Sequence, residues 1–345
     1  MSITLPQHVP LAITTRIDEA GTSTLESVHY GSVAVADAEG VLRHAAGDPR
    51  AMTFTRSALK PFQAMPFIAE GGHRRYGFSS AQVALMCASH SGEPMHTDGV
   101  ADMLARIGCR AEQLQCGCHV PSYYAAVGAK VPPDAKFTTL HHNCSGKHAG
   151  MLAYCRLHDH PVETYLAFDH PLQRQIRAAV AYYAGCAEAE LPAGIDGCSA
   201  PNYAVPLDRL ASAFARLAQD TPDARYGEAP QAIFGAMTGH PEMVSGIKRN
   251  DLALMQTAPG DWVAKAGAEG VQGIGIRSRG LGIAIKIADG NTRALYPVIV
   301  AVLEQLGLVD DPAATPLADH LAPRIENFRG LVTGQVKPVL ALTNV

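Results

Sequence analysis

The chain has 345 residues, is 47% hydrophobic and 17% charged, and carries a formal net charge of −4, which is enough apolar material for a large core in one domain or two interleaved lobes. No run of lysines or arginines gathers into a basic stripe, which argues against nucleic acid or an anionic membrane as partner and favours a small neutral or zwitterionic ligand. The N-terminal stretch MSITLPQHVPLAITTR lacks the basic and apolar regions of a secretory signal, and no segment approaches about 18 uninterrupted apolar residues, so a cytoplasmic protein is expected.

In chain order, residues 27–45 alternate apolar and polar on either side of Asp-Ala-Glu-Gly, the pattern of a β-hairpin. Apolar residues at spacings of three and four then predict helices over 57–70, 79–88, 97–107, 147–158, 171–185, 205–219 and 229–239. Period two returns over 262–288 with a Ser-Arg-Gly turn, and 291–306 reads as an amphipathic helix capped by Asn291. Residues 307–322 resemble a Pro/Ala linker before a short tail. Strands that open and close the chain are best served by one antiparallel sheet built from both ends and flanked by helices, an α+β arrangement in the broad α/β class. The expected organisation is a single domain over 1–345, with a sheet lobe (10–56 and 260–345), an inserted helical lobe (57–259) and a cleft between them.

Ser57-Ala-Leu-Lys60 stands at the start of the first predicted helix, where residues three apart share a face. Pro61 fits a first helical turn, and Pro66, deeper in, should kink the helix. Ser57 reads either as a helix cap or as a nucleophile with Lys60 as its base, the latter requiring burial or a nearby cation to lower a lysine pKa. A second match, Ser245-Gly-Ile-Lys248, contains a glycine and precedes Arg249-Asn250-Asp251, so it reads as a solvated turn. Lys265 on a late predicted strand supplies a second cation. Ser-x-x-Lys followed by Lys-[Ser/Thr]-Gly is the order found in serine β-lactamases and penicillin-binding proteins, but Ala266 replaces the middle hydroxyl here, which disfavours a penicillin-like substrate.

Two other clusters carry polar chemistry. Ser89, His90, Ser91 and Glu93 lie in one small-residue loop, able to relay a proton or simply to join two helices. His141, His142, Cys144, Lys147 and His148 crowd one stretch and Cys198 lies downstream; these residues could hold a metal, with Cys116-Gly-Cys118-His119 as a competing site, or could be buried thiols. The eight cysteines are too sparse to read as a disulfide framework.

Taken together, ESVHYG (26–31), RSALKPFQAMP (56–66), CASHSGE (87–93), HHNCSGKHAGML (141–152), DGCSAPN (196–202) and KAGAEGVQGIG (265–275) resemble the thermolabile, Rhizobium-type L-asparaginases. The resemblance implies a serine β-lactamase-like fold, hydrolysis of L-asparagine to L-aspartate and ammonia through a serine ester, and a homodimer. It implies two Ser-Lys pairs, Ser57 with Lys60 and Ser89 with Lys265. It also implies zinc near the substrate on Cys144, Lys147 and Cys198, aiding binding without being strictly required. Arg56, Glu26 and Asn143 are candidates for the substrate's α-carboxylate and α-ammonium from their places in the motifs. A glutaminase with the same nucleophile and a zinc-dependent, non-catalytic binding protein are the alternatives.

Overall fold

The computed structural model describes residues 5–345. Three strands, β1 (Val9–Ile17), β2 (Ser23–Asp37) and β3 (Leu42–Ala46), open the chain, followed by the short β4 (Met52–Phe54) and a 3-10 turn over Arg56–Leu59. Helices α1 (Lys60–Ala69), α2 (Gly72–Arg75), α3 (Ser80–Met86), α4 (Pro94–Arg106), α5 (Ser122–Val127), α6 (Ser145–Leu157) and α7 (Pro171–Ala184) come next. After β5 (Ala193–Ile195) and β6 (Pro201–Pro206), the chain forms α8 (Leu207–Leu217), α9 (Ala229–Gly239), α10 (Pro241–Val244) and α11 (Asn250–Thr257). It closes with β7 (Trp262–Gly267), β8 (Val271–Ile276), β9 (Leu281–Ile287), α12 (Thr292–Gln305), β10 (Arg324–Glu326), β11 (Val332–Pro338) and β12 (Thr343–Asn344).

Both chain ends build one antiparallel sheet, as expected, in the order β10-β11-β1-β2-β9-β8-β7; β3 pairs with β2 and β12 with β3. Two parts of it differ from expectation. The short tail after residue 322, for which the sequence predicts no strand, joins the sheet: β11 pairs with β1 from Ala12↔Pro338 to Arg16↔Gly334. The inserted helical stretch also contains strands, with β6 pairing β4 and β5 in a small second sheet. These strands are too short to show a period of their own, and partners distant in sequence define them.

Helix α8 lies on β2, β8 and β9 because that face of the sheet is lined by small residues. Gly273 pairs with Ala284, and Gly275 with Gly282. A Cβ at Gly273 would overlap the Phe214 ring, and one at Gly282 the Ala211 carbonyl. Helix α12 lies against β1, β9 and β11. Its Asn291 cap accepts from the Arg293 amide, and α1 continues through Pro66 with Pro61 in its first turn. One continuous apolar core joins strands and helices. Among the described residues no helix is long and apolar enough to cross a membrane.

Candidate active site

The loop from β4 into α1 is fixed on both sides. Thr55 donates its amide and its hydroxyl to the Tyr203 carbonyl. Asn202, buried on β6, accepts from the Arg56 amide and donates to the Arg56 carbonyl, both at 3.1 Å. Arg56 has φ +49°, a left-handed conformation that costs a non-glycine residue energy and survives only where neighbours impose it. Strand β7 approaches this loop closely because residue 267 is glycine, where a Cβ would overlap the Thr55 carbonyl. The next residue, Ser57, lies in a 3-10 turn rather than in the helix itself. It faces a cavity of about 180 Å³ lined also by Arg56, His119, His142, Asn143, Cys144, Asp196 and Cys198. Among the described residues, Ser57 is the one hydroxyl-bearing side chain in that lining.

The Lys60 side chain is buried and donates to the Ala88 carbonyl and, at 3.0 Å, to the Ser89 hydroxyl. Lys265, fully buried on β7, donates to the Ala266 carbonyl at 2.7 Å and to the Asp251 carboxylate at 3.2 Å. The pairings therefore differ from expectation: Lys60 bonds Ser89 rather than Ser57, and Lys265 bonds Asp251 rather than Ser89. The physical reason is charge. Two amines buried near each other are held by a counter-ion, and Asp251 supplies it while taking the Ala266 amide at 3.0 Å and the Gln272 amide group at 3.1 Å. Burial, opposed by Asp251 and aided by the Lys60 and Arg249 charges, brings Lys265 from the ordinary 10.5 to about 8. Burial pushes the Asp251 carboxyl up, but Lys265 and the two amides outweigh it and hold it below the usual range.

Asp251 sits in the stretch expected to be a solvated turn, and that expectation is corrected. Ser245, Asn250 and Asp251 are buried, while Lys248 stays exposed. The Val244 carbonyl accepts from the Ser89 amide at 2.9 Å, so this stretch supports the Ser89 loop. That loop also supplies Glu93 as the cap of α4.

Cys144, Lys147 and Cys198 do converge, as the resemblance implies. Lys147, buried on α6, donates to the Cys198 sulfur at 2.8 Å, and Cys198 donates to Asp196 at 3.2 Å. A hydrogen bond from Cys198 outweighs burial and, with the Lys60 and Lys147 charges, holds the Cys144 thiol well below the ordinary cysteine value. Cys198 is pushed up, first by that bond and then by burial. The Cys144 thiol donates to the Asn143 side-chain carbonyl at 3.1 Å. Burial alone would lower Lys147, but the two sulfurs raise it, so an ammonium now occupies the place of a cation between them. The two sulfurs are donors that zinc accepts, and Lys147 would join them only by giving up a proton, since an ammonium has no lone pair for a metal. The competing Cys116, Cys118 and His119 are not assembled: among the described residues no three His, Cys, Asp or Glu side chains form a metal-holding group.

Arg56 and Asn143 line the cavity, and Arg56 donates to Asp196 at 2.6 Å. Glu26 does not line it; its carboxylate is tied to Arg16 at 2.5 Å on the exposed part of β2. Sequence reasoning missed Asp196, Asn202 and Asp251. The first two lie inside DGCSAPN, a motif read for its cysteine, and their polar side chains beside that cysteine are the signal that could have found them.

The family model for L-asparaginase II matches residues 21–338. No curated protein matches the chain. Among solved structures, Mglu in its native form in 4.3 M NaCl is 16% identical, over 81% of this chain and 62% of its own, with a TM-score of 0.37. This chain thus spans less than two thirds of that protein's length. A second native-form Mglu structure has a TM-score of 0.38 at 16% identity, over 81% of this chain and 65% of its own. A β-lactamase from Mycobacterium bovis is 14% identical, over 80% of this chain and 94% of its own, with a TM-score of 0.34. Scores this low say nothing about function. The match over residues 21–338 does place the chain: it belongs to the L-asparaginase II family.

Proposed function

We propose that the protein is an amidohydrolase that converts L-asparagine to L-aspartate and ammonia through an ester on Ser57. The observation that carries this reading is Ser57 itself, the sole side-chain hydroxyl among the described residues that line a small cavity, three residues ahead of a buried lysine. A neutral Lys60 amine has two hydrogens, which match its two acceptors, Ala88 and Ser89, and one lone pair left to take the Ser57 proton. Ser57 Oγ attacks the side-chain amide carbon, and the tetrahedral oxyanion is met by the Ser57 N–H, since the Arg56, Ala58 and Lys60 amides already have acceptors; such a donor is typically worth about 3 kcal/mol. The C–N bond then breaks as Ser89 passes a proton to the departing nitrogen, Lys60 resupplies Ser89, and ammonia leaves. Water attacks the β-aspartyl ester, Ser57 recovers its hydrogen, and aspartate is released.

Arg56 and Asn143 are assigned to the substrate's α-carboxylate and α-ammonium region, since both line the cavity. Asp251 keeps Lys265 in place, 3.2 Å from its carboxylate. Cys144, Lys147 and Cys198 would hold zinc, which when bound would polarise and anchor polar groups of the substrate. The homodimer and the preference for asparagine over glutamine belong to this same reading. Ammonia release from asparagine and from glutamine, measured side by side, tests it: release from glutamine alone would make the protein a glutaminase.

A further inference from the structure

A second cavity, of about 460 Å³, adjoins the Ser57 pocket and shares Arg56 and Asp196 with it. That size suits a small molecule. Its mouth is apolar. Met52 and Phe54 on β4 and Ile195 on β5 are 52%, 45% and 75% exposed, and β4 and β5 are the two edges of the small sheet. Three large apolar side chains around one opening form a surface that favours a partner.

The remaining lining is charged and balanced, with Arg56 and Lys286 against Asp196 and Glu269. Arg56 donates its Nε–H to Asp196 at 2.6 Å and also lines the Ser57 pocket. Glu269 is less engaged: its side chain is 67% exposed and its nearest cation is Arg56, at 3.9 Å. Lys286 donates to the carbonyls of Glu269 at 2.6 Å and Ile287 at 2.5 Å, which leaves one of its three ammonium hydrogens. One available carboxylate and one available ammonium beside an apolar wall are the complement of an α-amino acid.

We propose that this cavity binds a free α-amino acid with an apolar side chain, such as leucine or methionine. The ligand's ammonium meets Glu269, its carboxylate meets Lys286, and its side chain covers Met52, Phe54 and Ile195. Because Arg56 and Asp196 form the wall common to both cavities, occupancy alters the affinity of the Ser57 pocket for its own ligand. Binding in this second cavity does not depend on what the Ser57 pocket hydrolyses.

Titration calorimetry of the full chain with L-leucine and L-methionine tests the proposal, with leucine amide and 4-methylpentanoate as analogues lacking the carboxylate or the ammonium. The expected result is binding of the two amino acids and neither analogue, weakened at least about tenfold by Glu269→Gln and by Lys286→Met. Ammonia release from asparagine without added leucine should be unchanged in both variants. Absence of binding by both amino acids at millimolar concentration overturns the proposal. So does binding that ignores both substitutions and is competed by asparagine, which assigns the ligand to the Ser57 pocket. Loss of a dimer in light scattering on Ile195→Asp, with no amino-acid binding in the parent, also overturns it and assigns the apolar mouth to a second copy of the chain.

Discussion

Lys60 donates to the Ser89 hydroxyl at 3.0 Å, while Ser57, three residues before Lys60, makes no side-chain hydrogen bond among the described residues and faces the cavity. Ser89 is thus the hydroxyl already linked to the buried amine, and Ser57 is the one free to meet a substrate. Ser89→Ala removes the relay but not the nucleophile. Steady-state kinetics should show kcat for ammonia release lower by about 10²- to 10³-fold with KM nearly unchanged, because proton transfer matters in the transition state more than in binding. An unchanged kcat would remove Ser89 from the mechanism.

Lys265 sets a pH dependence. Its lowered value of about 8 means that the native protein begins to shed this proton there, whereas the unfolded chain keeps it to about 10.5. Between these values the unfolded state binds more protons, so this group's contribution to stability rises with pH across that window and is least favourable below about 8. Loss of the same proton removes the nearby cation that favours a neutral, basic amine in this buried pair, so kcat should fall as pH rises through about 8. Lys265→Met should remove that limb of the pH–rate profile, checked on protein shown by circular dichroism to be folded.

The sulfur cluster is expected to tune binding rather than to carry the chemistry. Cys144→Ser with Cys198→Ser should abolish zinc uptake, read by atomic absorption on the purified protein, and raise KM for asparagine, while kcat stays within about tenfold. Chelation of the unsubstituted protein should have the same effect. A double variant that loses all turnover at saturating asparagine would transfer the chemistry to the cysteines.

Asn202 is the residue that holds Arg56 in its left-handed conformation. Asn202→Ala leaves two backbone groups unpaired in a buried place and should lower stability by about 1–3 kcal/mol, measured by denaturant unfolding. Release of the Arg56 backbone should also misplace Ser57, so kcat/KM should fall by more than the folded fraction does. A variant that loses stability and keeps kcat/KM per folded molecule would confine Asn202 to a structural role.

Periodicity made most helices legible, since α1, α6, α7 and α9 bury faces whose spacing is local. It failed at β1 and at the closing strands β10 to β12, whose pairing joins the first residues of the chain to the last. The motif residues around Ser57 were legible as a set because they lie together in short stretches. The partners were not. Sequence spacing puts Ser57 and Lys60 on one side of a turn, but the long lysine side chain reaches Ser89, 29 residues away, and only tertiary packing decides that. Asp251 reads as a surface acid beside Arg249 and Asn250, and its role as counter-ion to Lys265 exists only once α11 meets β7.

The most direct test is ammonia release from L-asparagine by the purified protein and by Ser57→Ala, with and without a chelator. Release that Ser57→Ala abolishes and the chelator leaves largely intact is the predicted result. Release that survives Ser57→Ala and disappears with the chelator would contradict the serine mechanism and make the Cys144–Lys147–Cys198 cluster the chemical centre.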